Sequence, residues 1–489
     1  MLSLHRRQFL HSLLGFWGSS ALAAPWLPAF EGLQHEHGFI DLQVEGRLPK
    51  SLKGTLYRSG PMRFSSVDGQ MYGHWFDGDG GVVGVRLDGT GNAQGAVRLI
   101  ESTGLQRERK RGRRLFSGYG SGTRGAWWKI LTNQFKNVSN TNVISWNDEL
   151  WSMVESHGPT RIHPDTLETI GVANLDGQLR GGFSAHPHFV KDRLINIGMQ
   201  FGMRSKLFLY ELRPGSPAKR LVQVPNPHCP VLHDFALTEK HAVLIQPPIR
   251  IDFMTVFKNQ GAVAPGMLWE PKRGTEIVII PLDDPTNMKR FVVDPFYQWH
   301  IGNAWEDQSD IFVELVMYPD FQSNTALGQI PTGKPNTGGL NGQLTRIRIK
   351  PAAESIEKTI LGEAYCEFPQ VSSRHFGTRN PFSVVANFSD QQASFVGIHD
   401  RLSFIEHESG DWTSISFGPE TYTGEAIIVP KSVGDKFKCW IAAMFFDGRT
   451  NRTGMAIIDA DHFADGPVAK TWFPGPVPFT FHGHWSDRV

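Results

Sequence analysis

The sequence predicts an all-β fold, a β-propeller of short hairpins set around an axis that carries a metal ion. Three observations predict it. From about Gly38 to the end, short apolar runs recur with turn residues between them. No helical stripe of three or more turns stands out after the N-terminal segment. Three histidine segments share one layout, in which the histidine opens an apolar stretch, a polar turn follows, and a second apolar run comes after it. His186 precedes Phe189-Val190, the turn Lys191-Asp192-Arg193 and Leu194 to Ile197. His233 precedes Phe235 to Leu237, the turn Thr238-Glu239-Lys240 and Ala242 to Ile245. His300 precedes Ala304-Trp305, the turn Asp307 to Asp310 and Ile311 to Val313. Histidines at the same end of successive hairpins converge when the hairpins are arranged radially about one axis.

The chain opens on a targeting segment. Arg6-Arg7-Gln8-Phe9-Leu10 is followed by an uncharged, mostly apolar run from Leu13 to Leu22 and by Ala21-Leu22-Ala23, a small-residue cleavage site. The paired arginines resemble a twin-arginine export signal, so residues 1–23 are expected to direct the mature chain, 24–489, to the periplasm. About ten apolar residues fall short of the roughly 20 that span a bilayer. Apolar runs follow at Val143 to Trp146, Leu150 to Val154, Glu276 to Ile280, Leu344 to Ile349, Ser394 to Ile398, Glu425 to Val429 and Cys439 to Phe446. Asn147-Asp148, Asp88-Gly89 and Asp447-Gly448 read as turns between strands. Arg107 to Arg114 reads as a solvated basic loop, with contact to anionic lipid head groups as its alternative. Gln322 to Asn341, rich in Gly, Pro, Asn and Thr, reads as a long loop. No domain boundary is evident, so residues 24–489 are expected to form one domain.

Composition agrees. The 51 glycines and 31 prolines are scattered, as many turns require. A net charge of +1 gives no electrostatic case for nucleic acid. The 33 phenylalanines and 14 tryptophans are mostly propeller core, with a minority left to line an apolar tunnel. Cys229, Cys366 and Cys439 are widely spaced and odd in number, which excludes a zinc ribbon, a C-x-x-C motif and a disulfide framework.

Among 19 histidines, the candidate metal ligands lie in the three hairpins and in F-H-G-H-W, Phe481 to Trp485. Residues two apart share a strand face, so His186 and His188 remain alternatives, as do His482 and His484. Neutral imidazoles suit Fe, Zn, Cu or Ni and leave the ion's charge uncompensated, so carboxylates are expected behind them to accept their other N–H groups. Glu155, Glu367 and Glu425 stand in apolar strand contexts where an isolated carboxylate is costly.

The pieces Gly54 to Pro61 (G-T-L-Y-R-S-G-P), His74 to Gly80 (H-W-F-D-G-D-G), Asn140 to Val143 (N-T-N-V) and the four histidine segments in order resemble the carotenoid cleavage oxygenases over nearly all of the mature chain. The resemblance implies a seven-bladed propeller with Fe(II) on the axis and loops capping the active-site face. It also implies His186, His233, His300 and His482 as ligands, with Glu155, Glu367 and Glu425 behind them. Four histidines leave one or two positions open for O₂ on an octahedral ion. The expected reaction is cleavage of one C=C bond of an apolar conjugated alkene, a carotenoid or apocarotenoid, into two carbonyl products. No side chain need act as general base, and Asp234 and Asp307 are expected to be structural. The stilbene-cleaving branch of the family has a lysine immediately before the residue that corresponds to Glu155, where this chain has Val154; Tyr119 falls in the region where that branch places a tyrosine. The stilbenoid is therefore the alternative substrate. A propeller that binds a polyene without reacting is the rival of another class, and the complete set of seven residues counts against it. Isomerisation or hydrolysis of a retinoid ester is a third reading, marked by product formation without O₂.

Overall fold

The computed structural model describes residues 24–489 except 124–134, 202–204, 227–230, 335–337, 391–392, 396 and 432–435. The export segment and Cys229 therefore lie outside the described residues. Antiparallel strands in sequence order build seven blades. Local turn chemistry sets each hairpin. Asn147 and Asp148 both take positive φ, 49° and 63°, the two-residue turn that matches strand twist, between Asn142–Trp146 and Glu149–Met153. Lys191 and Gln308, also at positive φ, turn the hairpins that follow His186 and His300.

The blades close into a ring because each adjacent pair shares an apolar core. Val82 of the first blade meets Val143 of the second, Met153 meets Phe183 and Leu194 of the third, and Leu207 meets Ala242 and Val278 of the fourth. Ile277 packs with Val313 of the fifth, Leu344 with Val385 of the sixth, Val384 with Ile441 of the seventh, and Ala442 with Val85 of the first. The long strand Ser355–Gln370 serves two blades: its first part pairs with Gln343–Lys350 and its last part with Phe382–Asn387. The C-terminal strand His482–Ser486 completes the first blade by pairing with Gly54–Arg63, which closes the ring with the two ends of the chain in one sheet.

Three segments differ from the sequence reading. Arg107–Arg111 belongs to a helix rather than a loop: α1, Thr103–Arg111, is capped by the Ser102 hydroxyl and ended by Gly112 in the left-handed region. Its Glu108 is buried in an ion pair with Lys136 at 2.9 Å, a long-range partner that the basic run conceals. A second short helix, α2, spans Phe253–Lys258. Gln322 to Asn341 is not all loop, because α3, Gln322–Gln329, opens it and a 3₁₀ turn, Ile330–Thr332, follows. Ser323 and Asn324 are buried there by hydrogen bonds to Trp299 and Tyr119, so tertiary contacts outweigh a turn-like composition. The run Ser394 to Ile398 begins in a 3₁₀ turn, Ala393–Phe395, and holds no described strand. No described helix is long and apolar enough to cross a membrane.

Candidate metal centre

His186, His233, His300 and His482 come together on the axis, with one nitrogen of each within 4.8 Å of the others. His186 precedes the inner strand of the third blade, His233 that of the fourth, His300 lies within Tyr297–Asp307 of the fifth, and His482 starts the closing strand of the first. The remaining three blades supply the acids. Glu367 and Glu425 stand on inner strands of the sixth and seventh. Glu155 lies two residues past the strand Glu149–Met153 of the second. Gly182 lets this last segment in: a Cβ there would collide with the Glu155 carbonyl oxygen. Each blade thus contributes one of the seven residues.

Three of the imidazoles donate Nδ1–H to a carboxylate. His233 pairs with Glu155 at 2.6 Å, His300 with Glu367 at 2.5 Å and His482 with Glu425 at 2.9 Å. Burial works against the charged form of all three acids, but the facing imidazoles outweigh it and hold each carboxyl below its usual range. Burial pushes His186 far down and His482 to about 4, whereas at His300 the Glu367 charge overcomes burial and raises it. Glu425 is further bound by the buried Arg58, whose Nη1 lies 3.0 Å from Oε2. Tyr318 donates to Glu367 at 3.0 Å.

The donor set fits a divalent ion. A carboxylate can only accept, so Nδ1 of His233 and His300 carries the proton, and in the neutral rings Nε2 presents a lone pair. Those Nε2 atoms face each other at 3.2 Å, and that of His186 faces His233 at 3.0 Å. Facing lone pairs repel unless a cation lies between them. Imidazole nitrogens bind such ions at about 2.1 Å, so two at right angles sit roughly 3 Å apart.

The structure also separates the alternatives that strand period left open. His188 turns away to Asp234, with Nε2 2.8 Å from Oδ1. Asp234 is structural as expected: it accepts from the backbone N–H groups of Ile301 and Phe235 and so ties together the segments that carry His300 and His233. His484 is outside the cluster and packs near Phe189.

An apolar cavity opens on the cluster, lined on one side by Trp299, Tyr297, Ile251 and Met267 and on the other by Phe368, Ile398, Leu340 and Phe479. Trp299 stands edge-on to His233 at 5.5 Å. Phe368 stacks on His300 at 5.1 Å, aimed there by a backbone with φ +56° at a bulge in its strand. A bulky residue in that region is strained, and such strain gathers at functional sites. Val154 and Tyr119 both line the cavity, and the Tyr119 hydroxyl is engaged with Asn324 Oδ1 at 2.6 Å. His399, which the sequence reading passed over, also lines it.

A family model described as retinal pigment epithelial membrane protein matches residues 30–487. The chain is 28% identical to the apocarotenoid-15,15′-oxygenase of Synechocystis, over 94% of this chain and 96% of that one. It is 25% identical to resveratrol cleavage oxygenase 1 of Aspergillus fumigatus, over 95% and 96%. Among solved structures, cobalt-substituted Synechocystis apocarotenoid oxygenase superposes with a TM-score of 0.82 at 26% identity, covering 94% of this chain and 98% of that one.

Proposed function

The chain belongs to the retinal pigment epithelial membrane protein family, the carotenoid cleavage oxygenases, and on that premise we propose that it is an oxygenase cleaving one C=C bond of a carotenoid or apocarotenoid into two carbonyl products. The observation that carries this reading is the convergence of four imidazoles on one point at the wall of an apolar cavity. His186, His233, His300 and His482 would hold the metal, and Glu155, Glu367 and Glu425 would fix three of their rings by accepting Nδ1–H. An all-imidazole set with open positions suits Fe(II), which when bound would supply activation of O₂. A relative holding cobalt in its crystal structure supports a metal in this family.

The protein's own residues then do the positioning. Trp299, Phe368 and Val154 offer a long apolar alkene the contacts that hold one double bond beside the four histidines. No general base is required, and the acids nearest the cluster are occupied by imidazoles. Val154 favours a hydrocarbon chain over a phenolate, since the residue immediately before Glu155 carries no cation. The stilbenoid reading draws its support from the relative named for resveratrol and from Tyr119 in the cavity wall.

Two further features complete the reading. The cavity is lined by Ile251, Phe253, Val256 and Met267 of the segment that holds α2. Phe253, Met254, Phe257 and Leu268 of that segment are exposed. The chain after α1 bonds to the same segment, through Thr123 N–H to Gln260 and Val263 N–H to Tyr119. This exposed apolar face, together with the basic run of α1, supports peripheral contact with a membrane that dissolves the substrate. Flotation with anionic vesicles should be lost in Met254→Asp combined with Phe257→Asp. Export by the segment 1–23 is likewise part of the proposal, and it fails if Arg6→Lys with Arg7→Lys leaves the periplasmic yield unchanged.

The activity itself is tested by giving Fe(II)-loaded mature protein an apocarotenal and a 4-hydroxystilbene together in air and identifying products by mass spectrometry. Polyene aldehydes support the reading, benzaldehydes move the enzyme to the stilbenoid substrate, and no product from either refutes both.

A further inference from the structure

On the Phe368 side the cavity is lined by His399, a residue outside the seven of the metal centre. Its ring packs against Phe388 at 4.5 Å and against the edge of Phe368 at 5.9 Å. Phe368 stacks on His300 at 5.1 Å, so the His399 ring stands no more than about 11 Å from that of His300. The backbone holds it in place, since the Thr423 N–H donates to the His399 carbonyl.

Among the described residues, neither ring nitrogen of His399 has a hydrogen-bond partner. Most other polar side chains in the wall are engaged. Tyr119 bonds Asn324, Lys136 pairs with Asp79 and Glu108, Ser156 meets His157, and Thr423 donates to the Met444 carbonyl. The Trp75 indole N–H is enclosed without a partner, and the Tyr297 hydroxyl lies on the Trp299 side of the cavity. Among the described residues His399 is therefore an unpartnered polar group that faces the cavity on the Phe368 side. Burial lowers it to about 4, which keeps the ring neutral near pH 7 with one donor and one acceptor nitrogen. An unpartnered imidazole facing apolar walls is costly unless something that enters the cavity satisfies it.

We propose that His399 is a binding subsite for an oxygen function of the substrate, a carbonyl, hydroxyl or phenol, on the Phe368 side of the metal centre. An oxygen fixed there sets the distance to the double bond that rests beside the histidines, and so the position of cleavage. The subsite rests on the oxygenase reading and deepens it, because it requires an alkene oxygenated at that end.

The test uses His399→Phe, which keeps the ring packing but removes both nitrogens, and His399→Gln, which restores a donor and an acceptor. Each full-length enzyme is titrated anaerobically with a polyene aldehyde and its hydrocarbon analogue, and with a hydroxystilbene and stilbene. Products are then mapped in air. His399→Phe should weaken binding of the oxygenated member of a pair by about tenfold, the worth of one hydrogen bond to a group otherwise left unmet. It should leave the hydrocarbon member unchanged, which also shows that the variant is folded, and should spread cleavage over neighbouring double bonds. His399→Gln should recover most of the loss, and the pair affected tells which oxygen function is held. If His399→Phe binds and cleaves every compound as the wild type does, the subsite is overturned while the oxygenase reading stands. If the wild type binds and cleaves none of them, both are overturned.

Discussion

Replacing each acid behind the histidines by glutamine removes one charge and converts one oxygen to NH₂, and the three sites differ in how they accommodate that NH₂. Glu155 meets His233 through Oε1, and among the described residues no other side chain bonds it. A glutamine keeps its oxygen on His233 and turns NH₂ toward the cavity. At Glu367, Oε2 accepts from His300 and from the Phe368 N–H, while Oε1 accepts from Tyr318. A glutamine there can donate to Tyr318, whose hydroxyl rotates to accept. Glu425 has no such freedom. Its Oε1 accepts from His482 and Gln370 at 2.9 Å each, and its Oε2 from Arg58 and Gly483 at 3.0 Å each. Either orientation of a glutamine sets NH₂ against two donors. Losing the charge behind a ligand lowers metal affinity about tenfold at Glu155 and Glu367, the low end of the 10- to 100-fold range for such partners. At Glu425 the loss should exceed about 100-fold, with a stability loss of roughly 3–5 kcal/mol as the buried Arg58 is left without its anion. Competition with a chelator, read by metal analysis, gives the affinities, and thermal melting gives the stabilities. Losses within about threefold of one another at the three positions would refute the reasoning from hydrogen-bonding edges.

Further outcomes follow from the same geometry. Val154→Lys puts an ammonium into an apolar wall beside Glu155, and should cut turnover of a hydrocarbon polyene about tenfold or more while improving binding of a phenolic stilbene; steady-state kinetics with both compounds checks this. The carboxyls of Glu155, Glu367 and Glu425 are held below their usual range, so their stabilisation is full above the unfolded value of about 4.3 and fades as pH falls through the folded values. Metal retention followed by dialysis should therefore hold at neutral pH and fail only once the pH has fallen below the ordinary carboxylate range. Removing the metal with a chelator should lower the melting temperature, and restoring it at 100 times its dissociation constant should return about 2.7 kcal/mol.

What the sequence made legible was local. A turn such as Asn147-Asp148 needs only its own two residues to read, and the hairpins after His186, His233 and His300 carry their turn residues with them. Choices made by distant partners were not legible. His186 and His188 are equivalent by strand period, and it is Asp234 of the next blade that withdraws His188. The helix α3 is concealed because Asn324, polar and turn-prone, is buried by Tyr119, some 200 residues away. The basic face of α1 hides Glu108, whose partner Lys136 comes from another segment. His399 carries no motif at all. Its place beside Phe368 and Phe388 exists only once the sixth blade has folded against the cavity.

The distribution of the seven residues over seven blades ties the centre to the closure of the ring. His482 comes from the last strand of the chain and Arg58 from the strand it pairs with, so the pair His482–Glu425 forms only when the first and seventh blades meet. The Arg58 guanidinium spans that seam by bonding the Glu425 carboxylate, the Glu425 carbonyl, the Phe481 carbonyl and the Thr480 hydroxyl. A bound metal would add a further link across the same seam, from His482 to His186, His233 and His300 of the third, fourth and fifth blades. Opening the seam would therefore cost the metal before it cost the remaining blades, each of which keeps its own hairpins. The apolar interfaces hold the blades, while the axial polar network makes the closed ring the arrangement in which His233, His300 and His482 each meet their carboxylate.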